Sequence, residues 1–277
     1  MLKLGGFRIY PLSDGAFHLD GGQIFGIVPR RLWSQRFQPD AENRVPLYLR
    51  PLLLDTGERR VIIDAGIGDH YGDKFAQIYS IQRERGQLLE SLRGIGYRPE
   101  DITDVIFTHL HFDHCGGATT LDEQGTPRLT FPRAHHHVSA AEYEAARNPN
   151  LRTRGSYRAD FIEPIAASGR MRSIQDGENF LPGFTAIHTP GHTKDHLSIL
   201  VQSEGEHLMF WGDLMPLAAH ANPAWGAALD THPLDTLECK LALLQRAEDE
   251  GWHYHYFYHE LQPIFTPEKL AETLGKK

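Results

Sequence analysis

The segment Thr108-His109-Leu110-His111-Phe112-Asp113-His114-Cys115-Gly116-Gly117 constrains this chain more than any other part of it. Within it, His109, His111, Asp113 and His114 crowd together directly after the apolar run Val105-Ile106-Phe107. On a strand or a helix those four side chains could not all face one way. A loop leaving a strand end could wrap them around a metal pair, and Gly116-Gly117 is expected to let the backbone turn tightly behind them.

Three more segments repeat the arrangement. Phe184–Ile187 runs into His188-Thr189-Pro190-Gly191-His192, His207–Trp211 into Gly212-Asp213, and Tyr254–Tyr258 into His259-Glu260. Each time an imidazole or carboxylate stands just past an apolar run. Ligands from four strand ends can converge on one edge of a sheet sandwich, as catalytic residues do at the ends of other α/β sheets.

Composition sets the outer limits. With 277 residues, 40% of them hydrophobic and 23% charged, the chain can bury a substantial core. A formal charge of −8 argues against nucleic acid as the main partner, since phosphate backbones are bound by clustered Lys and Arg. The opening MLKLGGFRIYPLSDG lacks the unbroken apolar stretch of a secretory signal, and no run approaches the roughly 18 apolar residues of a membrane span. Two cysteines, Cys115 and Cys239, make no disulfide framework, so a cytoplasmic location is expected. The histidine count, 17, is high, and position must decide which of them matter.

Apolar runs bounded by Gly, Pro and Asp predict strands over Val45–Leu54, Arg60–Ile63, Asp104–Thr108, Leu129–Phe131, Phe184–His188, Leu197–Val201, His207–Trp211 and Tyr254–Tyr258. Helical periodicity covers Ser80–Leu92, Ser139–Arg147 and Asp235–Glu250, with Gly94, Gly96 and Gly251 as C-terminal stops. That order implies two packed sheets with helices outside, in a single α/β domain over residues 1–277.

With these motifs the chain resembles the metallo-β-lactamase superfamily, and within it the quorum-quenching N-acyl-homoserine lactonases of the YtnP-type branch. The likeness covers nearly the whole chain. It includes Asp20-Gly21-Gly22-Gln23-Ile24-Phe25-Gly26-Ile27-Val28-Pro29, Leu32-Trp33-Ser34, and Asp213-Leu214-Met215-Pro216 followed by His220, Asn222-Pro223 and Trp225. The resemblance implies an αββα sandwich, two central mixed β-sheets flanked by helices. It implies His109, His111 and His192 on one divalent metal ion, Asp113, His114 and His259 on a second, and Asp213 bridging both. Imidazole and carboxylate donors suit Zn²⁺, with Mn²⁺, Fe²⁺ and Co²⁺ as alternatives. The H-x-E-x-D pattern of redox di-iron relatives is absent, which favours hydrolysis over electron transfer.

The activity so implied is opening of the lactone ring of N-acyl-homoserine lactones by a water activated between the two metals, with Asp113 handling its proton. A promiscuous metallo-esterase, phosphotriesterase or thioester hydrolase of the same fold is the alternative. An RNA-processing nuclease shares the motif but would need a basic groove, and none is visible in the sequence. Similar lactonases are commonly homodimers. Better-known lactonases carry a tyrosine three residues after the bridging aspartate; here that residue is Pro216, and His220 is the candidate catalytic substitute. Ile24, Phe25, Ile27 and Val28, with Trp33 and Trp225, are expected to bind the substrate's acyl chain. Cys115 is expected to be a packed thiol beside the ligands and not a ligand itself, and His188 and His196 to be structural or to orient their neighbours. His135-His136-His137 are given no role, since adjacent strand residues face opposite ways, and His253 and His255 are read as sheet positions.

Overall fold

Strict alternation along the later strands sorts side chains into two layers, because successive residues of a strand point to opposite faces. In Leu197–Ser203, Ile199 and Val201 enter one buried cluster and Leu200 another. Leu208 and Phe210 join the first and Met209 the second. Tyr256 and Tyr258 again go one way and Phe257 the other. A sheet buried on both faces must be covered on both sides.

The computed structural model, which describes residues 1–275, shows what covers it. The sheet has six strands in the order Asn179–Leu181, Phe184–His188, Leu197–Ser203, Glu206–Phe210, Tyr254–Tyr256 and Ile264–Phe265. They pair antiparallel except Glu206–Phe210 with Tyr254–Tyr256. Its inner face meets a seven-stranded sheet ordered Leu2–Leu4, Phe7–Pro11, Leu52–Asp55, Arg60–Ile63, Asp104–Ile106, His135–Ser139 and Met171–Ile174. That sheet is antiparallel up to Arg60–Ile63 and parallel beyond it. Leu52, Leu54, Ile63 and Ile106 share the first cluster with Ile199 and Phe210, and Phe7 stacks on Phe184 with ring centroids 6.1 Å apart. Leu243 and Ala247 of helix Pro233–Asp249 and Leu270 of helix Pro267–Thr273 cover the outer face of the six-stranded sheet. The architecture is the expected αββα sandwich. The layer shared by the two sheets is stabilised by about 25 cal/mol for each Å² of apolar surface removed from water.

Several boundaries differ from the sequence reading, each for a local reason. The run Val45–Leu54 is two strands, Arg44–Tyr48 and Leu52–Asp55, interrupted before Pro51, which has no N–H for a ladder. The first half pairs instead with Ala16–Asp20 as a separate ribbon. The helix expected from Ser80 starts at Gln87. Residues before it are extended: Gln82 exchanges backbone hydrogen bonds with Ala16, and Arg83 is buried against Asp14 and Asp69. The strand read at Leu129–Phe131 lies at Pro127–Leu129, and the last long strand stops at Tyr256. Ser139 does cap its helix, its hydroxyl accepting from the N–H of Glu142.

Candidate metal centre

The strand Asp104–Ile106 ends among the parallel strands, the chain bends at Thr108, and one helical turn, Phe112–Cys115, follows the extended His111. This break sends His109 and His111 one way and carries Asp113 and His114 on the turn. Gly116 and Gly117 do open the expected tight turn, a 3₁₀ turn over Gly116–Ala118, but glycine's backbone freedom is not what it needs, since Gly116 is in the ordinary right-handed region with φ −59°. Close approach explains them. A Cβ on Gly116 would stand 2.2 Å from the Ile67 carbonyl oxygen, and one on Gly117 2.0 Å from that of Ala65. Gly212 does need its left-handed backbone, φ 55°, which presents the N–H of Asp213 to His196 Nε2 at 3.0 Å.

All seven side chains singled out in the sequence converge. Donor atoms of His109, His111 and His192 lie within 4.8 Å of one another, as do those of Asp113, His114 and His259, and those of His109, His114 and Asp213. Asp213 sits between the groups. Its Oδ1 is 3.3 Å from His114 Nε2 and 3.4 Å from His259 Nε2, while its Oδ2 is 3.3 Å from His192 Nε2.

The outer ring nitrogens are already committed. His114 Nδ1 donates to Asp64 Oδ2 at 2.9 Å, His259 Nδ1 to the Tyr48 carbonyl at 2.9 Å, and His192 Nδ1 to Asp230 Oδ1 at 3.3 Å. The Thr108 hydroxyl gives its proton to Asp64 and so accepts from His109 Nδ1 at 3.0 Å. Four imidazoles therefore aim a bare Nε2 inward, the orientation that outer carboxylates and carbonyls impose on metal-binding histidines. Asp64 and Asp230 were missed in the sequence. Asp64 carried a usable signal, an acid immediately after the strand Arg60–Ile63, the same placement that marks the ligands. Asp230 follows no strand and gave none.

Whether these residues fit a metal is decided by atoms that have no other partner. His109 Nε2, His111 Nε2, His114 Nε2 and Asp213 Oδ1 are buried without a hydrogen bond. His111 Nδ1 and His192 Nε2 face each other at 3.0 Å, so that either one ring gives the other a proton across the gap or a cation takes both lone pairs. Burial and neighbouring imidazoles push His109 and His111 well below the ordinary histidine pKa, leaving them neutral. Burial opposes charge on Asp213, yet His114, His192 and His259 outweigh it and hold the carboxyl well below its usual range. Burial opposes charge on His114 and His192 as well, yet Asp213 with Asp113 and Asp64 holds His114 well above the ordinary histidine value, and Asp213 with Asp230 raises His192. Neutral imidazoles and ionised carboxylates are the forms that bind divalent cations, so a cation bound there would displace protons from the His114 and His192 rings. The donor set fits a divalent-metal site.

The site opens into a cleft of about 380 Å³. His111, Asp113, His192, Asp213 and His259 form its polar floor, and Phe17, Leu19, Leu47, Tyr79, Phe112 and Leu229 much of its apolar wall. Of the residues expected to bind substrate, Ile24 alone lines it. Phe25 is fully buried, its ring 5.0 Å from Trp33, 4.9 Å from Phe37 and 5.8 Å from both Trp225 and His220. Val28 is buried in the same core, while Ile27 is 93% exposed. The segment is a plug behind the cleft, because its aromatic rings satisfy one another. His220 also stands behind the wall rather than in it. Its Nε2 donates to the Ile24 carbonyl at 2.9 Å, and burial lowers its pKa to about 4, which keeps it neutral. Pro216 does line the cleft.

Of the other histidines, His196 supports Asp213 as expected, whereas His136 is fully buried with neither ring nitrogen hydrogen-bonded. His196 takes its place from the Thr189 hydroxyl, 2.8 Å away, and His137 Nε2 lies 2.8 Å from Asp104. His188 is exposed, and His255 stacks on Trp211. Cys115 is buried, its thiol donating to the Leu110 carbonyl.

The sequence model of the metallo-beta-lactamase superfamily matches residues 51–252, and the chain belongs to that superfamily. Among curated proteins, an N-acyl homoserine lactonase of Bacillus cereus is 30% identical over 167 residues, covering 57% of this chain. The chain spans 59% of the length of that relative. Among solved structures, a probable metal-dependent hydrolase from Staphylococcus aureus superposes with a TM-score of 0.85 at 29% identity, covering 93% of this chain and 91% of that one. AidC, a dizinc quorum-quenching lactonase, superposes with a TM-score of 0.77 at 23% identity over 96% of this chain and 92% of its own, a likeness of fold.

Proposed function

We propose that this protein opens the lactone ring of N-acyl-homoserine lactones, with two divalent metal ions, Zn²⁺ in the first instance, at the centre just described. His109, His111 and His192 would hold one ion, Asp113, His114 and His259 the other, and Asp213 both. The observation that carries the reading is Asp213 itself, which turns one carboxylate oxygen to each histidine group. Similarity to named lactonases supports the substrate class.

When bound, such a pair supplies Lewis-acid activation of a water molecule and of the ester carbonyl. The chain provides the rest. Asp113 reaches the floor of the cleft with Oδ2 3.5 Å from both His114 and His259 Nε2, so Oδ1 is free to take the proton of the attacking water. It can then return that proton to the alkoxide released when the ring C–O bond breaks. The wall from Phe17 to Leu229 excludes water and accommodates an acyl chain, each buried methylene of which is worth about 0.8 kcal/mol. No helix among the described residues is long and apolar enough to cross a membrane, and both cysteines are free, which supports a reducing compartment. The inner cluster draws on both sheets and supports one domain over the chain.

The test is proton release in a pH-stat with a long-chain N-acyl-homoserine lactone, run beside a p-nitrophenyl ester and paraoxon. The lactone is expected to be preferred. A large preference for the ester or paraoxon would replace this reading with the esterase or phosphotriesterase alternative.

A further inference from the structure

Behind the floor lies a buried acid that the proposed chemistry does not use. Glu142, on the inward side of helix Ala140–Arg147, is fully buried and meets no Lys or Arg within ion-pair distance among the described residues. A buried carboxyl group without a cation is costly unless hydrogen bonds satisfy it. Three donors do so, from three separate segments. Its Oε1 accepts from the backbone N–H of Leu110 at 3.1 Å and from the Tyr157 hydroxyl at 2.9 Å. Its Oε2 accepts from the Thr193 hydroxyl at 2.8 Å.

The location of those donors gives the arrangement its meaning. Leu110 lies between His109 and His111, and Thr193 directly follows His192. Tyr157 sets its ring against His111, centroids 4.9 Å apart at 62°. One side chain thus ties together the two loops that bear His109, His111 and His192. The other group is anchored elsewhere: His114 on Asp64, His259 on the Tyr48 carbonyl, and Asp113 through its own carbonyl, which accepts from the Tyr258 hydroxyl at 2.8 Å.

We propose that Glu142 is a positioning residue that holds the His109, His111 and His192 group in register and leaves the Asp113, His114 and His259 group unaffected. It touches no substrate and acts through the two ligand loops. Removing such an outer partner typically costs 10–100-fold in metal affinity. The effect here should be confined to one of two neighbouring sites. This inference rests on the metal-centre reading, and the experiment separates the two.

Zn²⁺ is titrated into metal-free protein against a chromophoric chelator, in two backgrounds. His259→Ala leaves the first group intact, and His192→Ala the second. Glu142→Gln is expected to weaken binding by about 10–100-fold in the His259→Ala background and by less than about threefold in the His192→Ala background. Equal weakening in both, or none in the first, overturns the proposal. Tyr157→Phe and Thr193→Val each delete one donor while keeping the carboxylate, so they carry the same comparison should Glu142→Gln not fold. Each is expected to weaken the first background alone by about threefold or more, and no loss from either overturns the proposal. A wild-type protein that takes up no Zn²⁺ overturns the metal-centre reading itself, before any variant is compared.

Discussion

The floor of the cleft and the plug behind its wall are built from opposite kinds of residue, and they obey different logic. On and beneath the floor, seven polar residues from four strand ends each expose less than a tenth of their surface. Each has a named outer partner or an inward atom with none. In the plug, Phe25, Trp33, Phe37 and Trp225 satisfy one another and contribute only Ile24 to the cleft. A polar group taken out of water must have a specific reason to be there, whereas an apolar ring needs only neighbours. Chemistry therefore fixes the role of a floor residue, and packing that of a plug residue.

The contrast can be broken most forcefully at Asp213. Asp213→Ala should reduce kcat/KM for the lactone on the order of 10⁴-fold with little change in the urea midpoint of the metal-free protein, since the ions it is proposed to hold supply the transition-state stabilisation. Phe25→Ala should do the reverse, costing about 3–5 kcal/mol of stability in urea unfolding while leaving kcat close to that of the parent. A rise in KM without loss of stability would return Phe25 to the substrate pocket. Asp230→Ala removes the acceptor that orients His192, and about 10–100-fold in metal affinity should go with it, read by chelator competition. Leu229→Ala trims the wall. Its KM should rise several-fold for a long-chain lactone and hardly at all for a short one, in line with about 1–2 kcal/mol of lost apolar contact. Ile27→Ser should change neither stability nor KM beyond about 0.5 kcal/mol, because the side chain is 93% exposed.

The same contrast governs how much could be read before the structure. The ligand positions stood out because His109, His111, Asp113 and His114 are too polar and too crowded for a core, and because His192, Asp213 and His259 repeat their placement after a strand. The two-sheet architecture followed from the apolar runs that precede them. The cleft wall did not follow. Phe17 and Leu19 share one face of strand Ala16–Asp20, a pattern visible only once that strand is recognised, and its partner was merged with Leu52–Asp55 across Pro51. Nothing local distinguishes Phe17, which faces the cleft, from Phe25, which faces away. His220 was misplaced for a related reason: a histidine in a loop near a bridging aspartate carries no mark showing that it points at the Ile24 carbonyl. Long-range contacts decide such cases, and Asp230 meeting His192 from 38 residues away is another.

Elemental analysis of the purified protein bears most directly on the seven converging side chains. Two divalent ions per chain are expected, falling to one or none in Asp213→Ala. A wild-type preparation free of metal that still opened the lactone at full rate would contradict the proposed centre outright.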